Sequence, residues 1–491
     1  MEEALSPGQR QARGQHIRKR IPRSSHAEWK HEQRGRSALD ILRDSMKSRL
    51  PRLIHLKYER MAASPFGYFR GAVPIMAYDL GHQSNTGIIN QLCGDAHVRN
   101  LGAYAGLDGR LVFDINDFDE TICGPFEWDV KRLATSIILA GREANARESK
   151  CREAAGFFLR RYRKSIHLFA EMPILELARY QIHRQTELAA VADVFAKAER
   201  STPLRSLETL TEPIGSAKPK HAKSGAVAKR AKASAAPKST ATASRSTAAS
   251  KASAAPQPRR FRSDPPLLER LSPAEAAPVL ASLGTYAHTL HPDRRHFLAG
   301  YRPVDVAFKV VGNGSVGLRD YCIYLEGNGA CDPLFLQVKE EVPSAWLPYL
   351  HGRNKARTAN PTRPAPDGIV TPANGASQGK RAVDGQRAMQ AQSDPFLGYT
   401  VIDGADFLVR QLNDHKGTVN LGQLDEKALC HFADLCGELL ARGHARSGDP
   451  AALAGYIGHG TRFDKAITDF ARIYSDQTEH DWKQLARSRR K

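Results

Sequence analysis

Apolar residues in the first half of the chain recur mainly at the three- and four-residue spacing of helices. Leu39, Leu42 and Met46 follow this spacing, and Pro51 interrupts it. Two shorter apolar runs have the length of strands rather than helices. The pattern predicts helices over 37–61, 126–146, 150–170 and 174–199, strands over 85–92 and 111–115, and a Pro- and Gly-marked loop over 64–71.

Beyond residue 300 the pattern changes to short apolar runs of strand length. It predicts strands over 305–311, 318–326, 333–339, 396–402 and 406–412, and helices over 379–392, 424–444 and 463–475. A helical first half followed by a strand-rich unit indicates an α+β fold. The predicted domains are a basic N-terminal extension and helix (1–62), a helical lobe (63–213), a disordered basic linker (214–262), a helical connector (263–300), a β-lobe with a disordered insert near 352–379 (301–416) and C-terminal helices (417–491).

The basic residues are concentrated in a few segments of the chain. Among 491 residues, 72 Lys and Arg face 52 Asp and Glu, which gives a formal net charge of +20. Residues 215–262 hold seven Lys, five Arg and no acid, among Ala, Ser, Thr and Pro. Such a composition cannot bury a core, so we expect a disordered linker. The total charge suggests a polyanionic partner, but its distribution favours a near-neutral body with basic extensions.

The cysteine pattern and the apolar runs indicate in which cell compartment we expect the protein. Seven scattered cysteines without a CxxC pair argue against a disulfide scaffold and against a structural zinc site. The longest nearly apolar run, 133–141, is too short for a membrane span of about twenty residues, so we expect no membrane partner. The N-terminus lacks the apolar stretch of a signal peptide, and we expect a cytoplasmic protein.

Two acidic loops lie about twenty residues apart, each next to a short apolar strand. The first, CGDAHVRN, contains Asp95 and Asn100, and the second, FDINDFDE, contains Asp117. Phosphoryl transfer requires a carboxylate that orients the acceptor hydroxyl, and amide and carboxylate oxygens that hold magnesium. Asp95 fits the first role, whereas Asn100 and Asp117 fit the second. Each residue alone is more often structural than catalytic, because Asp and Asn are common in turns and caps, and Asp129 is more typical of a helix cap or loop anchor than of a metal ligand.

A glycine-rich segment, GNGSVG, lies between two predicted strands. Gly312, Gly314 and Gly317 form a GxGxxG pattern that leads into a strand, whereas a dinucleotide-binding fold requires a helix there. Strand, glycine turn and strand is the arrangement that covers nucleotide phosphates in protein kinases. The next strand ends in Lys339, where a lysine that pairs with the phosphates is expected. We expect Asp384 on the following helix to pair with Lys339, with Gln386 as the second candidate.

Several long motifs resemble one bacterial family. RMAASPFGYFRG, CGDAHVRNLG, FDINDFDETICGPFEWDVKRLA, VVGNGSVGLRDYCIYLEG and DPLFLQVKE are similar to the DUF2252 family, over most of the chain outside the two linkers. CGDAHVRN also resembles the catalytic loop of aminoglycoside-phosphotransferase-type kinases, written roughly GDxHxxN. NDFDETICGPFEWDVKRLA is similar to their metal-binding segment. The resemblance implies a catalytic Asp95, magnesium ligands Asn100 and Asp117, and a structural Asp129.

The order of these motifs differs from that in kinases. Here the glycine loop follows the catalytic loop by about 215 residues, whereas in kinases it precedes that loop. We therefore expect a protein-kinase-like two-lobe fold that is circularly permuted, with the catalytic helical lobe first and the nucleotide β-lobe second. One bound Mg·ATP would have to reach both Lys339 and Asp117, which limits their separation to about 15 Å.

These features favour an ATP- and Mg²⁺-dependent phosphotransferase whose partners are a nucleotide and an unknown small-molecule or protein acceptor. Nucleotidyl transfer and a pseudokinase that binds nucleotide without turnover stay open as alternatives. A non-enzymatic, nucleic-acid-associated protein that acts through the basic linker is a further alternative. Asp95, Asp117 and Asp119 disfavour it, because clustered carboxylates repel phosphate unless a metal intervenes.

Overall fold

The computed structural model describes residues 5–106, 108–181, 189–214, 257–312, 314–350, 377–412 and 415–489. Most of the predicted linker and of the predicted insert near 352–379 therefore lies outside the described residues. Helices and strands both contribute large parts of the described chain, which confirms the expected α+β class. No described helix is both long and apolar enough to cross a membrane.

Helices dominate the first third and the last sixth of the chain. They are α1 (Pro7–Arg20), α2 (Ala38–Asp44), α3 (Pro51–Ala62), α4 (Pro65–Gly71), α5 (Val73–Gly81), α6 (Glu127–Glu143), α7 (Glu148–Glu171), α8 (Ile174–Arg179), α9 (Ala189–Arg200), α10 (Pro203–Leu210), α11 (Pro273–His288), α12 (Pro292–Leu298), α13 (Leu347–Leu350), α14 (Gln378–Met389), α15 (Glu426–Ser447), α16 (Pro450–Ile457) and α17 (Arg462–Ser488).

The strands form one large sheet and three small ones. They are β1 (Ile89–Leu92), β2 (Leu101–Ala105), β3 (Leu111–Ile115), β4 (Ile122–Pro125), β5 (Thr211–Pro213), β6 (Arg259–Phe261), β7 (Leu268–Arg270), β8 (Arg302–Lys309), β9 (Asp320–Gly327), β10 (Gly329–Glu340), β11 (Gly398–Ile402), β12 (Ala405–Gln411) and β13 (Gly417–Thr418). The large sheet is antiparallel, in the order β11-β12-β10-β9-β8-β7. Its central strand β10 places Lys339 opposite Asp320 of β9 and Leu408 of β12.

Helices from both ends of the chain share one hydrophobic core. α15 packs along α7, and α17 packs along α6. Ile137, Phe158, Leu439 and Phe470 are fully buried in this core. The predicted C-terminal helices therefore belong to the same core as the lobe that holds the two acidic loops.

A second, smaller core lies on the large sheet. Val279 and Tyr286 of α11 pack against Val306, Ile323 and Leu336 of the sheet. The predicted helical connector thus covers one sheet face, and it also supplies the edge strand β7. The adjoining end of the linker is ordered as well, since β6 pairs with β5 and corrects the predicted disorder at 259–261.

The local structure agrees with the sequence pattern at Leu111–Ile115 and differs from it at Pro65–Gly71. Leu111–Ile115 is a strand as predicted. The predicted loop over 64–71 is wrong, because Pro65–Gly71 forms α4. Ser64 caps this helix by accepting a hydrogen bond from the backbone N–H of Gly67 at 3.0 Å, and Pro65 stands at the first helical position, where proline is favourable.

The segment after β10 brings the large sheet onto the acidic loops. Trp346 is fully buried, stacks on Trp128 at 4.8 Å and donates a hydrogen bond from Nε1 to the carbonyl of Gly94 at 2.8 Å. Ser344 Oγ also donates to the carbonyl of Glu120 at 2.9 Å. These contacts place the end of β10, and with it Lys339, directly over the two loops.

Candidate functional site

Asn100 joins the two acidic loops. Its Nδ2 donates to the carbonyls of Asp95 at 3.1 Å and Asp117 at 2.8 Å, and its Oδ1 accepts from the backbone N–H of Asp117 at 2.6 Å. The hairpin of β2 and β3 sets this geometry, because Asn100 directly precedes β2 and Asp117 lies just after β3. These contacts make Asn100 a connector between the loops. Its Oδ1 accepts one hydrogen bond and has a second lone pair, so its role as a magnesium ligand stays a prediction.

Asp129 holds the first loop from below. Its two carboxylate oxygens accept hydrogen bonds from the backbone N–H groups of Cys93 at 2.8 Å and Gly94 at 3.0 Å. Gly94 has a φ of +78°, and a Cβ atom there would come within 2.0 Å of the Glu120 carbonyl oxygen. Only glycine fits such a conformation and approach. The contacts of Asp129 are those of a loop anchor, the role that its sequence position indicates.

Arg132 fixes one oxygen of Asp95. Its Nε and Nη2 donate to Asp95 Oδ1 at 2.8 and 2.6 Å, from a fully buried position on α6. His97 Nε2 lies 3.6 Å from the other oxygen, Oδ2. Burial lowers the pKa of His97 to about 4, although the negative charge of Asp95 opposes this shift. His97 is therefore neutral near pH 7, and Asp95 keeps Oδ2 turned away from Arg132.

Lys339 meets the second acidic loop. Its Nζ lies 3.2 Å from Asp117 Oδ1 and 2.5 Å from Asp119 Oδ1, and the lysine is only 2% exposed. Burial would lower the pKa of Lys339, but the two carboxylates outweigh it and raise that pKa above its usual range. This ion pair joins a buried lysine to the Asp117 side chain, which is 46% exposed, and it connects residues 222 positions apart in the chain.

The two carboxylates beside Lys339 differ in their protonation equilibria. Burial would raise the pKa of Asp117, but the positive charges of Lys339 and Arg410 hold it below its usual range. Burial raises the pKa of Asp119 to about 6, and the negative charge of Asp117 adds to the rise. Near pH 7 Asp117 is fully ionised, whereas Asp119 accepts a proton in mildly acidic solution.

Two arginines brace the backbone of the second loop. Arg381 of α14 donates to the carbonyls of Asp119 at 2.8 Å and Thr121 at 2.6 Å. Arg410 of β12 donates to the Asn116 carbonyl at 2.9 Å, and its Nη2 lies 3.8 Å from Asp117 Oδ1. The loop is thereby tied to both the helix and the sheet of the β-lobe.

The glycine loop lies on the first acidic loop. A Cβ atom at Gly314 would lie 3.9 Å from Asp95 Oδ2 and from the Arg70 carbonyl oxygen, so Gly314 is close to the carboxylate. Gly312 and Gly317 have φ values of +72° and +98°, which glycine adopts without strain. Gly314 is thus the glycine of the motif that lies beside Asp95, and Gly312 and Gly317 flank it on either side.

Helix α3 and Arg49, which lies two residues before it, hold this turn by its carbonyl groups. Lys57 Nζ donates to the Gly314 carbonyl at 2.5 Å, Arg60 donates to that of Gly312, and Arg49 donates to that of Val316 at 2.6 Å. Lys57 is 1% exposed, and burial lowers its pKa well below the usual range. The helical spacing of 37–61 did not indicate this contact, because nothing in a local pattern specifies a partner more than 250 residues away.

Asp384 does not take the predicted place beside Lys339. It forms an ion pair with Lys380, one turn earlier on α14, and Lys339 has Asp117 and Asp119 as partners instead. The helix turns Gln386, the second candidate, into the interior, where Nε2 donates to Gln390 Oε1 at 3.0 Å. The expected lysine partner was wrong because the acidic loop itself supplies the negative charge.

The oxygen ligands at this site suit magnesium better than a metal ion that is bound by protein side chains alone. Asp117 and Asp119 present carboxylate oxygens on one loop, and Mg²⁺ commonly uses one or two carboxylates while waters and substrate phosphates complete its coordination. Within the described residues there is no group of three or more His, Cys, Asp and Glu side chains that could hold a metal ion alone. The carboxylates present therefore fit a magnesium ion that arrives with phosphate.

Comparison with known proteins identifies the family. The family model described as "Uncharacterized protein conserved in bacteria (DUF2252)" matches residues 49–232 and 216–488. This match spans well over half of the sequence, so the chain belongs to the DUF2252 family, as its motifs indicated. No curated protein and no solved structure matches the chain.

Proposed function

We propose that this member of the DUF2252 family is an ATP- and Mg²⁺-dependent phosphotransferase with a circularly permuted, kinase-like two-lobe fold. The main support is the contact between Lys339 Nζ and Asp117 Oδ1 at 3.2 Å. The two residues come from motifs in reversed order, yet their separation is far below the limit of about 15 Å that one Mg·ATP sets. The glycine turn over Asp95 adds the third part of such a site.

The topology of the large sheet supports the same proposal. In protein kinases the glycine loop precedes the strand that carries the phosphate-binding lysine, and a helix follows. Here the glycine loop joins β8 to β9, Lys339 lies on β10, and α14 follows before β11. The departure from kinases lies in the helix residue, since Asp384 pairs with Lys380.

Each residue has a definite task in this proposal. Lys339, on β10 of the large sheet, binds the phosphates of ATP, and the glycine turn covers them. Asp117, with Asp119 beside it, would hold magnesium, which would supply positive charge against the phosphates. Because Arg132 occupies Oδ1, Asp95 uses Oδ2 to accept the proton of the acceptor hydroxyl. The hydroxyl oxygen bonds to the γ-phosphorus, and ADP leaves.

Entry of the nucleotide requires the glycine turn to move. Gly314 lies close to Asp95 Oδ2, and Lys57 and Arg60 hold the turn by its carbonyls. Loops that close over a reacting group commonly move in this way. In the described structure the turn therefore lies against Asp95, the carboxylate that would face the acceptor.

The test is calorimetric titration with ATP, with and without Mg²⁺. Wild-type protein should bind ATP only weakly without magnesium, and Asp117→Asn and Lys339→Met should each weaken Mg·ATP binding at least about tenfold. Lys309→Met, which removes a half-buried lysine from the neighbouring strand β8, is the matched control and should bind normally. Absence of magnesium-dependent binding in wild type, or equal binding by all variants, would refute the proposal. Release of ADP would indicate phosphoryl transfer, whereas release of pyrophosphate would indicate nucleotidyl transfer.

A further inference from the structure

A second pocket lies on the helical lobe, lined by α1, the segment 22–27 and the first turns of α17. Its volume is about 480 Å³, within the range of small-molecule sites. Four cations line it, namely Arg18, Arg23, Arg462 and Lys465, together with a single carboxylate, Asp469. None of these residues contributes to the contacts of the candidate active site.

The fold forces two of these cations together. A Cβ atom at Gly458 would lie 2.5 Å from Arg18 Nη1 and 3.0 Å from Arg23 Nη1, so the two atoms are within about 5.5 Å, the sum of those distances. Arg23 Nη1 donates to the Ile457 carbonyl at 2.6 Å, which fixes its direction. Burial lowers the pKa of Arg23, and the positive charges of Arg18 and Arg462 lower it further.

Helix α1 is held rigidly at this position. Gly14 of α1 lies so close to α16 that a Cβ atom would come within 2.0 Å of the Ala452 carbonyl oxygen. In return, a Cβ atom at Gly455 of α16 would come within 2.0 Å of the Gln11 carbonyl oxygen. This close packing sets the position of the α1 backbone, which carries Arg18, relative to α16.

Nearby carboxylates leave most of this charge uncompensated. Asp464 pairs with Arg163 at 3.0 Å, and Asp469 lies 3.8 Å from Arg152, outside the cluster. In the described part of the chain, Arg18, Arg462 and Lys465 form no ion pair with a carboxylate. Arg462 and Lys465 are exposed, so solvent screens part of the repulsion, and an anion bound between the cations would lower it further.

We propose that this pocket binds a small anion with two phosphate groups. Four cations and one carboxylate give the lining a formal charge of +3. A single phosphate group contributes only about −1.5 to −2 near pH 7, so one phosphate would leave the pocket positive. Arginines are suited to this task, since their planar guanidinium groups bind phosphate through two hydrogen bonds.

Titration with inorganic pyrophosphate in metal-free buffer tests the assignment. Wild-type protein should bind, Arg18→Gln/Arg462→Gln should bind at least about tenfold more weakly, and Asp469→Asn should bind more tightly. Lys427→Gln, which removes an exposed lysine on α15, should leave the affinity unchanged. The Asp469→Asn variant keeps the test decisive if the double variant is unstable, because it predicts a gain.

Three outcomes would overturn the proposal. They are absence of pyrophosphate binding by wild type, equal binding by all variants, and loss of binding only in Lys339→Met, which would place the anion in the candidate active site. Tighter binding of a single-stranded RNA than of pyrophosphate, lost in Arg18→Gln/Arg462→Gln, would instead identify the pocket as part of a nucleic-acid surface.

Discussion

The role of Asn100 yields the sharpest prediction, in the variant Asn100→Asp. If Asn100 served only as a magnesium ligand, a carboxylate would serve at least as well, and stability would not change. The structure gives Asn100 a connecting role as well, because its Nδ2 donates to the carbonyls of Asp95 and Asp117 and its Oδ1 accepts from the Asp117 N–H. Aspartate can replace the acceptor but neither of the two donors.

The expected cost follows from those contacts. Two carbonyl oxygens would lose their donor at a position where Asn100 is 3% exposed, and a carboxylate oxygen would face them instead. Each unsatisfied buried group costs about 1–3 kcal/mol, so we expect the free energy of unfolding to fall by about 3 kcal/mol. Mg·ATP binding should fall as well, since the loop of Asp117 loses its support.

Urea denaturation at pH 7 measures this loss, and Asn116→Asp is the matched control. Asn116 lies on the same loop and would gain the same charge, but its side chain does not join the two acidic loops. We expect its stability to change by less than about 1 kcal/mol. If the free energy of unfolding of Asn100→Asp lies within about 0.5 kcal/mol of the wild-type value, Asn100 does not act as a connector between the loops.

Two further predictions concern the glycine turn and pH. Lys57→Met removes the donor to the Gly314 carbonyl, so the amides of 314–317 should exchange hydrogen faster than in Lys47→Met, which alters an exposed lysine; equal exchange would contradict the proposed restraint. Burial lowers the pKa of His97 to about 4, below its unfolded value near 6.5, so this group's contribution is fully present above pH 6.5 and lost as the pH falls toward 4. Between pH 7 and pH 5, the free energy of unfolding of His97→Gln should therefore fall by about 2 kcal/mol less than that of wild type in urea denaturation. Equal losses in the two proteins would contradict this prediction.

Local patterns predicted the elements that hold the site, since strand runs and turn glycines are determined by neighbouring residues. Gly314, Lys339 and Asp117 each follow or end a strand whose apolar residues are visible in the sequence. Their meeting at one point could be expected only from the resemblance to kinases. The spacing alone contains no information about which strand end faces which loop.

The residues that sequence reasoning missed all act over long separations. Arg132 orients Asp95, and Lys57 holds the glycine turn, yet both lie on helices where a basic residue usually faces solvent. Asp384 was assigned by analogy with kinase helices, but the neighbouring Lys380 offers it a partner one turn away. Short-range ion pairs on a helix are indistinguishable in sequence from residues that reach another element.

The most direct test of the central claim is a crystal structure with magnesium and a non-hydrolysable ATP analogue. The phosphates should lie between the glycine turn and Lys339, with the metal bound to Asp117 at about 2.1 Å. Gly314 should have moved away from Asp95. Nucleotide bound elsewhere, or phosphates out of reach of Lys339 and Asp117, would contradict the claim that these distant motifs form one active site.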